Sequence, residues 1–138
     1  MKGFIGLIAL VIVSKLAGAQ VSLEIETLPS KTPAKDTIFL ASSLNNWSTT
    51  DKTYIFKSNS KGRLSLTINS PIDSFEYKLC RGNWATVEVD STGKDIRNRY
   101  YSSMLGNKIE IKVVGWRDLS PKRKSTVTKG VSFMPTNI

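Results

Sequence analysis

Three stretches of this chain alternate apolar and polar residues with a period of two, and that constrains the fold more than any other feature. Val21, Leu23 and Ile25 are interleaved with Ser22, Glu24 and Glu26, and Leu64, Leu66 and Ile68 with Arg63, Ser65 and Thr67. Ile109, Ile111 and Val113 repeat the pattern against Lys108, Glu110 and Lys112. Successive strand side chains point to opposite faces, so each stretch reads as a strand with one buried face. Further strands are expected at 38–42, 53–57, 74–80 and 86–89, with a weaker one at 130–134. Polar turns rich in Pro, Asn, Gly and Asp separate them, at 29–36, 45–46, 59–62, 70–73, 90–93 and 106–107.

Many short alternating strands without a convincing helix indicate an all-β fold. An immunoglobulin-like antiparallel β-sandwich is the simplest fit at this length, with an open oligonucleotide/oligosaccharide-binding barrel as the alternative. Cys80 is the single cysteine. No intrachain disulfide can form, so packing alone must hold the domain. Cys80 falls on the strand phase opposite Phe75, Tyr77 and Leu79, which predicts partial exposure.

The first 19 residues differ from the rest. Lys2 precedes an apolar run over 3–13, and Ala17-Gly18-Ala19 has the small-x-small form of a signal-peptidase site. The run is short of the roughly 20 apolar residues of a transmembrane helix. The expected organisation is a cleavable signal peptide at 1–19, a β-sandwich at 20–118, and a basic linker at 119–138 that could begin a further domain. Cleavage after Ala19 would give a secreted or periplasmic protein without stable membrane insertion. The competing reading is an uncleaved anchor.

The full chain carries 20 Lys and Arg against 11 acidic residues. With Lys2 and Lys15 gone, 18 against 11 remain, a net charge of +7. Such a balance could favour nucleic acid, but export argues against that partner. The densest basic cluster, Lys122-Arg123-Lys124, reads as a solvated linker.

The chain has no histidine. This excludes Ser-His-Asp and Cys-His catalysis and His-containing zinc sites, and one cysteine cannot build a thiolate cluster. No phosphate loop or dinucleotide fingerprint is present. Carboxylates at Glu76, Glu88, Asp90 and Asp95 are spaced without an acid and base being distinguished, and Glu76 and Glu88 read as charges on a solvated sheet face. The chain therefore reads as non-catalytic, with no cofactor and no metal.

Binding chemistry is better represented. Residues 74–99, SFEYKLCRGNWATVEVDSTGKDIRNR, combine an alternating strand, a Trp-bearing turn and a basic Asn-Arg ending. If Phe75, Tyr77 and Leu79 face the core, Lys78 points outward, and Arg81-Gly82-Asn83 forms a turn that presents Trp84. A sugar ring offers an apolar C–H face for an aromatic platform and hydroxyls for surrounding donors and acceptors. Trp84, Lys78, Asn98, Arg81 and Asn83 are the candidate glycan-binding residues.

At these residues the chain resembles starch- and glycogen-binding modules. FLASSLNNW over 39–47, then FEYKLCRGNW and IRNR, is similar to carbohydrate-binding module families 20 and 48, including the glycogen-binding domain of the AMP-activated kinase β subunit. The resemblance covers about 21–116. It implies an immunoglobulin-like sandwich with a shallow α-glucan site in which Trp84 stacks, Lys78 is the lysine of the Glu-Tyr-Lys element, and Asn98 belongs to the Asn-Arg ending. Trp47 would hold the turn after the Phe39 strand. Two departures stand out: Arg63-Leu64-Ser65-Leu66 lacks a second stacking aromatic, and Ser42-Ser43 replaces the turn glycine before Asn-x-Trp. RGNWATVEVDSTGKDIRNR with the ending VSFMPTNI further resembles the amino-terminal module of secreted bacterial esterases, which precedes an α/β-hydrolase domain. The partners implied are an α-glucan polysaccharide or oligosaccharide and a carboxy-terminal hydrolase domain. The competing function is a structural spacer for such a hydrolase, with no affinity for free glycan.

Overall fold

The computed structural model describes residues 20–69 and 73–122. The leader, the weak strand at 130–134 and the basic cluster beyond Lys122 lie outside the described residues. Among the described residues there are nine strands: β1 (Gln20–Thr27), β2 (Phe39–Ser42), β3 (Lys57–Ser58), β4 (Leu64–Asn69), β5 (Ser74–Cys80), β6 (Glu88–Val89), β7 (Arg99–Ser102), β8 (Lys108–Lys112) and β9 (Gly115–Trp116). They form one sheet ordered β3-β4-β1-β8, a second ordered β2-β5-β7, and a β6-β9 ribbon.

The two larger sheets share one core. Val21, Leu23, Ile25, Leu66, Ile68 and Ile111 from the first meet Leu40, Phe75, Tyr77, Leu79 and Tyr101 from the second. This is the all-β sandwich that the alternation implied. Trp116 completes the core, and its indole N–H donates to Thr32 Oγ1 at 2.8 Å, tying down the loop between β1 and β2. Among the described residues no helix is long and apolar enough to cross a membrane.

Four expectations need correction. The sheets are not wholly antiparallel, because β8 pairs with β1 in parallel, Leu23 opposite Ile109 and Ile25 opposite Ile111. The expected strand at 53–57 is instead a 3-10 turn at Lys52–Tyr54, started by the Asp51 carboxylate accepting from Thr53 N–H at 3.0 Å. Ile55 then makes an isolated antiparallel bridge to Phe39, and Lys57 and Ser58 form the two-residue strand β3. Cys80 is fully buried, because the face it shares with Ala41 is covered by Val87, Phe39 and Trp47. Burial accordingly raises its thiol pKa. Glu88 is buried as well, at 1% exposure, and does not sit on a solvated face.

Candidate functional site

The inner face of β5 belongs to Phe75, Tyr77 and Leu79, so the alternate residues Glu76, Lys78 and Cys80 point to the other side. Register places Ala41 of β2 opposite Lys78 and Tyr100 of β7 opposite Glu76. Cross-strand partners share a face. The outward surface of this sheet therefore carries Ala41, Glu76, Lys78 and Tyr100 together, with Asn98 leading into β7.

Trp84 is presented after β5 by a braced turn. Gly82 takes φ +104°, a left-handed conformation that suits glycine. Asn83 then starts the 3-10 turn Trp84–Thr86, its side-chain oxygen accepting from Thr86 N–H at 3.1 Å. Thr86 Oγ1 accepts from Arg81 N–H at 3.1 Å, and Arg117 Nη1 donates to the Trp84 carbonyl at 2.8 Å. With its backbone held in this way, Trp84 remains 43% exposed.

Lys78 is half-buried, and its charge helps Arg117 hold the Asp95 carboxyl below its ordinary pKa, the Arg117 hydrogen bond being the larger cause. Arg117 thus links the Trp84 carbonyl to Asp95 near Lys78. Asn98 is exposed, and its Nδ2 lies 3.5 Å from Glu76 Oε2. Lys78 and Asn98 thus lie on the outward phase of the β2-β5-β7 sheet, and Trp84 follows from the turn after β5.

Arg81 and Asn83 have other work. The Arg81 side chain is only 3% exposed, ion-paired with Asp36 and Asp118 and lying 5.3 Å over the Trp116 ring. Burial opposes its charge, but the two aspartates prevail and raise its pKa. Its Nε has no hydrogen-bond partner among the described residues. Arg81 therefore fastens the β5 turn to the carboxy-terminal 3-10 turn Arg117–Leu119, which straddles the boundary expected at 118. The Asn83 side chain is spent on its cap.

Trp47 has more to do than the sequence suggested. It holds the turn after β2, its N–H donating to Ser42 carbonyl at 2.8 Å, and packs half-buried against the Ala41, Cys80 and Val87 cluster. Ala41 and Cys80 flank Lys78 on the outward face, so the exposed part of Trp47 borders that face too. Both Asn46 and Trp47 have positive φ, 52° and 59°. For a residue as bulky as Trp the left-handed region is strained, and such strain tends to be held where a side chain must be aimed.

Sequence reasoning missed Tyr100, Arg117 and this aspect of Trp47. The Tyr100-Tyr101 pair was the available signal for a strand there, but the preceding Arg-Asn-Arg masked it.

No family model matches this chain. An alpha-amylase of Niallia circulans is 39% identical to it over 94 residues. The match takes in 67% of this chain but 7% of the relative, so this chain corresponds to a small part of a much longer protein.

Proposed function

We propose that the outward face of the β2-β5-β7 sheet is an α-glucan-binding surface, and that the domain is a non-catalytic binding module. Trp84 is the stacking platform, Lys78 and Asn98 supply hydrogen bonds to hydroxyls, and Trp47 is a second aromatic at the border of the face. The observation that carries this reading is the exposed Trp84 on a turn braced from three sides, just after the strand that carries the outward Lys78. A turn already held at its backbone has less loop-ordering entropy to lose on binding than a loose one. The 39% identity to a segment of an alpha-amylase supports a starch-related ligand.

The same match supports an accessory role beside a hydrolase. An amylase and the α/β-hydrolase esterase of the sequence resemblance both suit that role, and the leader at 1–19 would carry the protein out of the cytoplasm. Affinity electrophoresis in gels containing starch or glycogen tests the reading. Wild type should be retarded and Trp84→Ala should migrate as in a plain gel. Equal mobility of the two proteins in every gel would instead leave the domain as a spacer.

A further inference from the structure

We infer that Tyr100 is a further glycan contact, extending the surface along the β5-β7 pair so that it accepts a chain of several sugar rings. This rests on the glycan-binding reading above. Tyr100 is 60% exposed, although its strand neighbour Tyr101 is buried 4.8 Å from the Phe75 ring centroid. The core is thus filled from the other side of β7, and the Tyr100 ring lies on the outward face with Lys78 and Asn98. In the sheet order β2-β5-β7, β7 is the edge strand.

Its surroundings suit a sugar. Glu76 is directly opposite Tyr100 in register. The Glu76 carboxylate meets Asn98 Nδ2 at 3.5 Å, the limit of a hydrogen bond, so both groups retain capacity for a hydroxyl. Ser43 Oγ accepts from Glu76 N–H at 3.1 Å, which fixes the strand beneath. The step from Lys78 to Glu76 is one full pleat, about 7 Å along the strand. A ligand anchored on Trp84 and passing Lys78 would meet the Tyr100 ring and the Glu76–Asn98 pair farther along the same face. A short ligand at Trp84 would not.

Titration calorimetry of the full chain with maltotriose and with maltoheptaose tests this, using wild type, Tyr100→Ala, Tyr100→Phe and Trp84→Ala, with thermal melts as a folding check. Wild type should bind maltoheptaose more tightly than maltotriose. Tyr100→Ala should lose about three- to tenfold on maltoheptaose, the size of one aromatic contact, with less than about twofold on maltotriose. Tyr100→Phe should keep most of the difference, and Trp84→Ala should lose both sugars. Wild-type affinities for both sugars in Tyr100→Ala would overturn the extension while leaving the Trp84 site standing. An equal loss on both sugars with an unchanged melt would also overturn it, by placing Tyr100 in the Trp84 site itself. Silence of wild type toward both sugars would remove the glycan site altogether, and the extension with it.

Discussion

Glu88 sits in the two-residue strand β6 with its carboxylate inside the protein, where an unpaired charge would be prohibitive. Arg99 answers it from β7, Nε approaching Oε1 at 3.0 Å and Nη2 approaching Oε2 at 2.8 Å. Leu79 N–H adds a further bond at 3.0 Å, and Arg99 Nη2 also donates to the Lys112 carbonyl at 2.8 Å. For Arg99, burial lowers the pKa and the Glu88 hydrogen bond raises it, with a net rise. The pair thus joins β5, β6, β7 and β8 at one point. Arg99→Met should cost about 3–5 kcal/mol, because it strands a buried carboxylate. Glu88→Gln should cost less, since the amide oxygen still serves Leu79 N–H. The double change Glu88→Leu with Arg99→Met should recover part of the loss, as an apolar pair needs no charge partner. Urea unfolding of the three variants checks the order, and an Arg99→Met stability within 1 kcal/mol of wild type, roughly a surface effect, would contradict it.

The turn that follows β2 shows how an element is held against its own strain. Ser42 is extended, and its hydroxyl accepts from Leu44 N–H at 3.2 Å while donating to the Glu76 carbonyl at 2.8 Å. Asn45 closes the box, accepting from Ser42 N–H at 2.9 Å and donating to the Leu40 carbonyl at 3.0 Å. These bonds precede the two left-handed residues Asn46 and Trp47. Asn45→Ala should therefore lower stability by about 1–2 kcal/mol, the scale of a lost cap plus an orphaned backbone group. It should also weaken the near-ultraviolet circular dichroism of Trp47, and an unchanged spectrum would show that packing alone fixes the ring. The alternation of Val21 to Ile25 and of Phe75 to Leu79 was enough to find β1 and β5, because their inward phase is apolar. It could not find β7, whose inward phase holds Arg99, or foresee that Glu88 turns inward, since each charge makes sense only with its partner eleven positions away. The exposure of Trp84 after its turn was readable in outline. The diversion of Arg81 was not, because Asp36 and Asp118 lie 45 and 37 positions from it.

Across the whole molecule, the absence of histidine shapes how folding responds to pH. No side chain in the sequence has an ordinary pKa between the carboxylates and the thiol. On the acid side, Glu24 is held below its ordinary value chiefly by Arg63, Asp90 by the Thr92 hydroxyl and Asp95 by Arg117. A carboxyl whose folded pKa is depressed contributes stability above its unfolded value of about 4, and loses it as pH falls through the folded value. On the alkaline side, burial raises both the Cys80 thiol and the Tyr77 phenol. A group whose folded pKa is raised contributes stability below its unfolded value, about 8.5 for the thiol and 10 for the phenol, and loses it as pH climbs toward the folded value. The melting temperature should accordingly be level between about pH 5 and 8, fall below about 4, and fall again above about 9. Cys80→Ala should delay the onset of the alkaline fall and leave the acid limb where it is, because the thiol is the first of the two buried groups to ionise in the unfolded chain. Thermal melts across a buffer series measure both limbs. A step within pH 5 to 8 in wild type, or an alkaline limb indifferent to Cys80→Ala, would mean that groups other than these set the profile.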